Sequence, residues 1–170
     1  MLRMNMAFYS QDAAKVAKNL LGKILCRNYK GKVKKARIIE TEAYYDEKDP
    51  ASRACKNGDL KKTMQAEAGT ILVYGVHNNW LLNIVTGKKG EAQAVLIRAA
   101  KPINFKAKCE GPGMLTRALK IDKSFHKQSI IKNKNLWIEN DKWKNFKIKS
   151  SHRIGVKKDL ARKLRFFIEF

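Results

Sequence analysis

The stretch Glu40-Thr41-Glu42-Ala43-Tyr44 ends a segment, Val33 to Tyr44, that is predicted to form a β-strand. A strand points every second side chain to the same face, so Glu40, Glu42 and Tyr44 are expected to lie together. The chain carries 37 Lys and Arg against 15 Asp and Glu, a formal net charge of +22. Two carboxylates and an aromatic ring in so basic a protein suit a site where a carboxylate moves a proton and the ring receives a flat substrate.

The same pattern has a second interpretation, in which the glutamates have no chemical role. They then form ion pairs with basic residues from earlier in the strand and lie on a solvated face of the sheet, where charged residues usually lie. The candidate partners are Lys34, Lys35 and Arg37. The local pattern leaves both interpretations open.

Length and composition indicate one folded domain. The chain has 170 residues, of which 44% are hydrophobic, which suits a sizeable core and not a disordered chain. No apolar run approaches the roughly 20 residues of a membrane-spanning helix, and residues 1–8 lack the apolar stretch of a secretory signal. We therefore expect a single domain over residues 1–170 in a cytoplasmic protein with no membrane partner.

The cysteines argue against two kinds of structural site. Cys26, Cys55 and Cys109 are odd in number and widely separated, and no two of them form a CxxC pair. This spacing is typical neither of a disulfide framework nor of a structural zinc site. We expect no metal site.

The charge of +22 indicates a polyanionic partner. Lys and Arg that neutralise phosphates release condensed counterions, which drives association with nucleic acid. The basic residues are spread along the chain instead of forming one amphipathic helix, which disfavours a membrane surface. Charge alone does not separate DNA enzymes, RNA-modifying enzymes and ribosomal proteins.

The predicted elements alternate between helices and strands. Ser10 is expected to cap a first helix that ends at Gly22, and another helix runs from Met114 to about Leu119 behind Pro112. Strands are predicted at Ile24–Arg27, Val33–Tyr44, Thr70–Val76, Trp80–Thr86, Ala94–Ala99, Leu136–Glu139, Phe146–Lys149 and Leu164–Glu169. This order predicts an α+β fold, a single domain in which helices flank a curved, mostly antiparallel β-sheet.

Two connections stand out in this order. The segment from Tyr45 to Gly69 is polar and irregular, with a short helix predicted at Leu60–Glu67. A loop of this length inside one domain is usually functional or mobile. The other connection is His77-Asn78-Asn79, which is predicted to form the tip of a β-hairpin.

Taken in order, these segments resemble the alkyladenine (3-methyladenine) DNA glycosylase family. The motif Glu40–Tyr44 is the most specific part of the resemblance. The other similar blocks are Leu20-Leu21-Gly22-Lys23, Asp49-Pro50-Ala51-Ser52, Gly69-Thr70-Ile71-Leu72-Val73-Tyr74, Val95-Leu96-Ile97-Arg98-Ala99, Gly111-Pro112-Gly113-Met114-Leu115, Arg153-Ile154-Gly155-Val156 and Leu164-Arg165-Phe166-Phe167. So many blocks in the family's order favour the catalytic interpretation of the two glutamates.

The resemblance implies a monomeric enzyme that flips a damaged purine out of double-stranded DNA and hydrolyses its N-glycosidic bond, without metal or cofactor. Glu42 matches the family's catalytic carboxylate, which activates water, and Arg98 matches an arginine near that water. Tyr44 matches a tyrosine that stacks on the flipped base. Asn83 matches a pocket asparagine that clashes with the 2-amino group of guanine. The implied lesions are of the 3-methyladenine, hypoxanthine and ethenoadenine class, in base excision repair at the nucleoid.

One departure from the family pattern is Arg53. The family has a histidine at this position, eleven residues after the catalytic glutamate Glu42. Two roles are open for the arginine. It either lies in the base pocket as a substrate-binding residue or turns outward to a DNA phosphate, a frequent arginine partner.

The hairpin is the second departure, because the family inserts a tyrosine from its tip into the minor groove. Counting from Gly69-Thr70 makes Tyr74 a second stacking tyrosine and leaves His77 at the tip as the DNA-contacting residue. Matching Tyr74-Gly75-Val76-His77 to the family's tip motif makes Tyr74 the inserted residue instead. Both alignments place Tyr74 at the DNA.

Three functions are weighed on these residues. The leading one is a monofunctional DNA glycosylase for alkylated or deaminated purines. The alternative is a nucleic-acid-binding protein of the same fold with narrowed or lost catalysis, which Arg53 and the altered hairpin favour and Glu42 opposes. An RNA-modifying enzyme is a weaker third, since the charge does not distinguish DNA from RNA.

Overall fold

The fold is built around one long strand, β3, which spans Lys32–Tyr44. A computed structural model describes residues 1–170. The other strands are β1 (Leu2–Arg3), β2 (Ile24–Tyr29), β4 (Ile71–Val76), β5 (Asn79–Val85), β6 (Ala94–Pro102), β7 (Leu136–Asn140), β8 (Lys147–Ser151) and β9 (Arg165–Glu169). The helices are α1 (Met6–Tyr9), α2 (Ala13–Leu20), α3 (Asp59–Met64) and α4 (Pro112–Leu119), and short 3₁₀ turns cover Arg53–Cys55 and Lys123–Phe125.

All nine strands belong to one antiparallel sheet, in which seven follow the order β1-β7-β2-β3-β6-β5-β4 and the other two, β9 and β8, branch from β3. The strand β6 runs along one edge of β3. The opposite edge is shared, because β2 pairs with the first part of β3 and β9 pairs with Glu40–Glu42, while β8 extends the sheet beyond β9. The expectation of an α+β fold with a curved, mostly antiparallel sheet is confirmed.

The main core lies between the sheet and α2. Its 30 buried residues include the inward face of α2 and the apolar residues of the central strands. The hydroxyl of Thr41 donates to the carbonyl of Ala17 at 2.8 Å, which ties β3 to this helix. Because the next residue is Glu42, this contact also fixes the end of β3 that carries the glutamate.

A smaller core supports the other side of the sheet. It consists of six buried residues: Ala54, Met64, Leu72, Val85, Ala92 and Ala94. Leu60, Tyr44 and Tyr74 pack against it. The polar segment 45–69 is therefore anchored to the sheet by Ala54 and Met64, and it holds one short helix, α3, near the predicted Leu60–Glu67.

The start of the first long helix differs from the prediction. Asp12, and not Ser10, is the N-cap of α2, since its carboxylate accepts the N–H groups of Ala14 and Lys15. Ser10 instead ends α1, a four-residue helix that the sequence pattern did not reveal. The C-terminal cap is as predicted, because Gly22 follows the helix with a φ of +81°, a conformation that glycine adopts without strain.

The hairpin of β4 and β5 turns at His77 and Asn78. Both residues have positive φ, +49° and +61°, as a two-residue type I′ turn requires. Asn79 already belongs to β5, where it pairs with Val76. None of the four helices has the length and the apolar surface that a membrane-spanning helix needs.

Candidate active site

Glu42 is the centre of the site. Its side chain is fully buried, and its two oxygens have different partners. The Tyr44 hydroxyl donates to Oε1 at 2.8 Å, and the backbone N–H of Ile154 donates to Oε2 at 2.8 Å. The Arg98 guanidinium lies 3.6 Å from Oε1, close enough for attraction between the charges.

Burial raises the pKa of the Glu42 carboxyl above its ordinary value. The Arg98 charge, the Ile154 N–H, the Tyr44 hydroxyl and the Arg153 charge oppose this effect without cancelling it. Burial and the neighbouring Glu42 carboxylate together raise the pKa of the Tyr44 hydroxyl, which therefore keeps its proton and serves as the donor. A carboxylate with a raised pKa is a stronger base than an ordinary glutamate.

Glu40 holds the arginine that faces Glu42. Its Oε1 accepts the Nε–H of Arg98 at 3.2 Å and an N–H of Arg165 at 2.8 Å. Glu40 and Glu42 thus contact the same guanidinium from one face of the strand, as the alternation predicted.

The solvated ion pairs that formed the second interpretation are absent. Lys35 pairs with Glu139 and Arg37 with Asp141. Lys34 instead donates to the backbone carbonyl of Ala118. The two glutamates therefore belong to the site and not to a charged outer face.

The pairing of β3 with β6 is irregular at this point. The register passes from Ile38–Ala100 to Glu40–Ala99 and then to Thr41–Ile97, so Ile39 and Arg98 have no direct partner. An irregularity of this kind re-aims side chains and increases the local twist. Here the irregular residue on β6 is Arg98, whose side chain joins the two glutamates.

A buried ion-pair network lies behind Tyr44. Arg153 donates to both carboxylate oxygens of Asp49 at 2.7 Å, and neither side chain is exposed. Arg153 also donates to Asp159 and to the carbonyl of Ala43. The guanidinium lies 4.5 Å from the centre of the Tyr44 ring, as in a cation–π contact.

Sequence reasoning assigned no role to Asp49, Arg153 or Ile154. All three lie in blocks that carried the family resemblance, but 104 residues separate Asp49 from Arg153. Burial of Asp49 alone would raise its pKa, yet the hydrogen bonds from Arg153 hold that pKa below its ordinary value. No local periodicity identifies a pair of this kind.

A cleft of about 1130 Å³ opens above these residues. Tyr44, Arg98 and Ile154, the three partners of Glu42, line it. Glu42 itself lies beneath them, out of contact with solvent. The walls come from four places: the loop around the 3₁₀ turn Arg53–Cys55, the β4–β5 hairpin, the start of α4 and the segment 154–158.

Arg53 and Tyr74 form one wall of the cleft. The guanidinium of Arg53 lies 4.8 Å from the centre of the Tyr74 ring. Arg53 belongs to the 3₁₀ turn, which Ser52 caps by accepting the N–H of Ala54 at 3.1 Å. The structure thus places the Arg53 charge at the cleft and not on a remote surface.

The hairpin tip reaches the same cleft through His77, which is exposed and lines it. Tyr74 is half-buried on β4, opposite Leu81, and lies three residues before the turn. His77, and not Tyr74, is therefore the residue in the turn.

The hairpin is tied to α4 next to its turn. Arg117 donates to the Asn79 side chain at 2.7 Å, and Thr116 donates to the carbonyl of Trp80 at 2.7 Å. A Cβ on Gly113 would come within 2.6 Å of Asn79, so only glycine permits this approach. These contacts hold the turn of the hairpin in a fixed position against α4.

Asn83 lies outside the cleft lining. It is buried, and its amide donates to the carbonyl of Leu72 at 3.2 Å. It does not line the cleft, unlike the other side chains that the resemblance assigned to base binding. No three His, Cys, Asp or Glu side chains cluster in a way that could hold a metal ion.

Comparison with known proteins shows the family of this chain. A sequence profile of the family described as Methylpurine-DNA glycosylase (MPG) matches residues 7–170. The chain belongs to the methylpurine-DNA glycosylase family. It is therefore an enzyme of DNA repair, a glycosylase that acts on DNA, and the predicted family is confirmed.

Relatives from distant organisms carry the provisional name 3-methyladenine DNA glycosylase. One from Aeropyrum pernix is 38% identical over 95% of this chain and 87% of its own length. One from Clostridium tetani is 35% identical over 99% of this chain and 96% of its own. One from Legionella pneumophila is 38% identical over 95% and 92%. The similarity to this glycosylase therefore covers nearly the whole of each chain.

Proposed function

We propose that this glycosylase flips an alkylated or deaminated purine out of duplex DNA into the cleft and hydrolyses its N-glycosidic bond. The observation that carries the proposal is the buried Glu42 carboxylate beneath a cleft lined by Tyr44, Tyr74 and basic side chains. The flat purine rings of the 3-methyladenine, hypoxanthine and ethenoadenine class suit a cleft that is lined by two tyrosines.

In the proposed reaction Glu42 activates water. The bond between the sugar C1′ and the base nitrogen breaks with its electron pair leaving on the base, so the sugar gains oxocarbenium character. Water attacks C1′ and gives a proton to the Glu42 carboxylate. A carboxylate offers about four acceptor positions, and the Tyr44 hydroxyl and Ile154 N–H use two of them. Acceptor capacity therefore remains for water.

Arg98 positions the carboxylate and attracts the nearby phosphate in this proposal. Its guanidinium is held by Glu40 and lies 3.6 Å from Glu42. It also lines the cleft, where it faces the entering nucleotide. The arginine thus connects the phosphate backbone to the activated water.

Aromatic stacking stabilises the flipped base. Extruding a base costs a few kcal/mol, least for a damaged one, and each stacked ring returns roughly 1–3 kcal/mol. Arg153 covers one face of the Tyr44 ring, and Tyr44 lines the cleft. We assign the base to Tyr44, with Tyr74 and Arg53 as the facing wall. The exclusion of guanine by Asn83 stays a prediction, because Asn83 is buried outside the cleft lining.

The cleft rim suits double-stranded DNA. The basic residues that line it are Arg53, Lys56, Arg98, Arg117, Lys157 and Lys158. His77, exposed in the hairpin turn, is assigned to enter the duplex where the base has left. We propose that the protein works as a monomer, in the cytoplasm at the cell's DNA, since one chain supplies every group named.

A second candidate is a DNA-binding protein of the same fold with narrowed catalysis. The observations that favour it are the complete burial of Glu42 and the fixed charge of Arg53 at the cleft. In that case the cleft accepts few lesions or none.

The test is single-turnover base release from duplexes that carry hypoxanthine, 1,N6-ethenoadenine or 7-methylguanine, in buffer containing a chelator. We expect release from at least one lesion duplex and none from the undamaged control. Glu42→Gln is the matched inactive variant. Tight binding without release from any duplex would favour the second candidate.

A further inference from the structure

Arg153 touches three parts of the site at once. Its guanidinium joins Asp49, just after β3, to Asp159, near the C-terminus, and it also binds the carbonyl of Ala43. The same group covers the back of the Tyr44 ring at 4.5 Å. The planar fork of arginine makes these contacts possible, because its five N–H donors point in fixed directions.

The residue that follows Arg153 donates to Glu42. Ile154 has no repetitive secondary structure around it, and its side chain is exposed. Nothing in a sheet or helix therefore holds its N–H at 2.8 Å from Oε2. The buried side chain of the preceding residue is what fixes the backbone there.

We infer that Arg153 is a positioning residue for catalysis, which acts through Tyr44 and through the Ile154 N–H. Its side chain is fully buried and reaches neither the cleft nor a substrate. It holds the ring that receives the base and the donor that keeps Glu42 charged. The inference rests on the proposed function of Glu42 and adds a residue to it.

The groups that face Glu42 come from several elements, so the effect of Arg153 on Glu42 can be separated from the effect of Arg98. Arg98 comes from β6, Tyr44 from β3 and the Ile154 N–H from the segment after β8. Of these, Arg153 positions the Tyr44 hydroxyl and the Ile154 N–H and not Arg98, and its own charge, which also favours the ionised carboxylate, is kept in Arg153→Lys. Loosening Arg153 removes a donor to the carboxylate, which makes ionisation harder and raises the pKa of Glu42 further.

The experiment compares Arg153→Lys with Arg162→Lys. Lysine keeps the positive charge but cannot reach two carboxylates and a carbonyl with one flat group. Arg162 is an exposed arginine of the same C-terminal region that contacts Tyr45 and not the site, so its replacement is the matched control. Single-turnover release and the carboxyl ¹³C titration of Glu42 are measured for both, with the Glu42 signal assigned from Glu42→Gln.

We expect Arg153→Lys to slow base release about tenfold or more through misplacement of the reacting groups. The acidic limb of its pH–rate profile and the titration of the Glu42 carboxyl should both move to higher pH. Arg162→Lys should match the parent. A variant with reduced thermal stability but an unchanged titration and rate, measured below its unfolding range, would show that Arg153 is structural only.

A second variant covers the case in which Arg153→Lys does not fold. Asp159→Asn removes one partner that is partly exposed and leaves the Asp49 pair in place. We expect the Glu42 titration to move to higher pH here too, by a smaller amount. An unchanged titration would contradict the inference. A parent enzyme that releases no base would defeat the proposed function instead, while the Glu42 titration would still report on Arg153.

Discussion

The backbone N–H of Ile154 donates to Oε2 of Glu42 at 2.8 Å, across 112 residues of chain. This bond joins the end of the central strand to an irregular segment near the C-terminus. The carboxylate would otherwise be buried with only the Tyr44 hydroxyl and the charges of Arg98 and Arg153 to favour its ionised form. The reactivity of Glu42 therefore depends on a part of the protein that is remote in sequence.

Glu42→Gln should abolish base release and leave duplex binding within about twofold. General base catalysis contributes roughly 10²–10⁴-fold, whereas binding comes from basic residues that the change does not touch. The rate is measured under single-turnover conditions and the affinity by titration.

Glu40→Gln is the matched control for that change. Glu40 holds Arg98 and Arg165 but does not contact Tyr44 or Ile154. We expect a smaller loss of rate than in Glu42→Gln. Equal losses in the two variants, or near-normal turnover in Glu42→Gln, would show that the water activator is another group.

The pH dependence of release should report the raised pKa of Glu42. The reaction needs the ionised carboxylate, so the rate should rise with pH through that pKa. Because burial raises the pKa of Glu42, the acidic limb of the pH–rate profile should lie above the ordinary glutamate pKa of about 4.3. Arg98→Gln removes the strongest opposing charge and should move the limb further up. A limb in the ordinary range in both proteins would contradict the assignment.

Tyr74→Ala should weaken binding to lesion DNA more than binding to undamaged duplex, by about 1–3 kcal/mol. The ring lines the cleft and contacts a base only when that base is out of the helix. Equilibrium titrations on the two duplexes give the difference. Equal weakening on both duplexes would make Tyr74 a residue of the fold.

His77→Asn should likewise weaken lesion binding selectively while keeping the protein stable. Asparagine tolerates the positive φ of +49° at this turn position, so the change shortens the side chain without straining the hairpin. The same two titrations, with a thermal melt, measure it. An unaltered lesion preference would exclude His77 from the duplex.

The cation at Arg53 should set a preference among lesions. 7-Methylguanine carries a positive charge and hypoxanthine does not, and like charges repel in a partly desolvated cleft. We expect hypoxanthine to be released faster than 7-methylguanine, and Arg53→His to shift the ratio toward 7-methylguanine. Single-turnover rates on both duplexes decide this. An unchanged ratio with a lower salt dependence of binding would assign Arg53 to a phosphate.

Asp49→Asn should lower the free energy of unfolding at neutral pH by about 3–5 kcal/mol, because it leaves Arg153 buried with one fewer charge partner. The pKa of Asp49 is lowered in the folded state. Its contribution is therefore present above the ordinary aspartate pKa and lost as pH falls through the lowered value. Urea unfolding at several pH values should show the difference from the parent shrinking in acid. Glu47→Gln, an exposed change in the same loop, should alter stability by less than about 0.5 kcal/mol.

Several features of this protein were readable from sequence, because they depend on neighbours in the chain. The alternation in Glu40–Tyr44 placed both glutamates on one face, and both contact Arg98. The polar residues between two apolar runs marked the hairpin turn at His77. The α+β fold and the glycosylase family followed from the order of such local blocks.

Other features exist only in the tertiary structure, because they join segments far apart. The partners of Glu42 depend on a register irregularity that aims Arg98 and on the Arg153–Asp49 pair across 104 residues. The position of Arg53 on Tyr74, which two sequence interpretations left open, depends on how the 45–69 segment packs on the smaller core. Periodicity describes which face a residue occupies, whereas burial and the pKa of Glu42 are set by whatever the fold brings against that face.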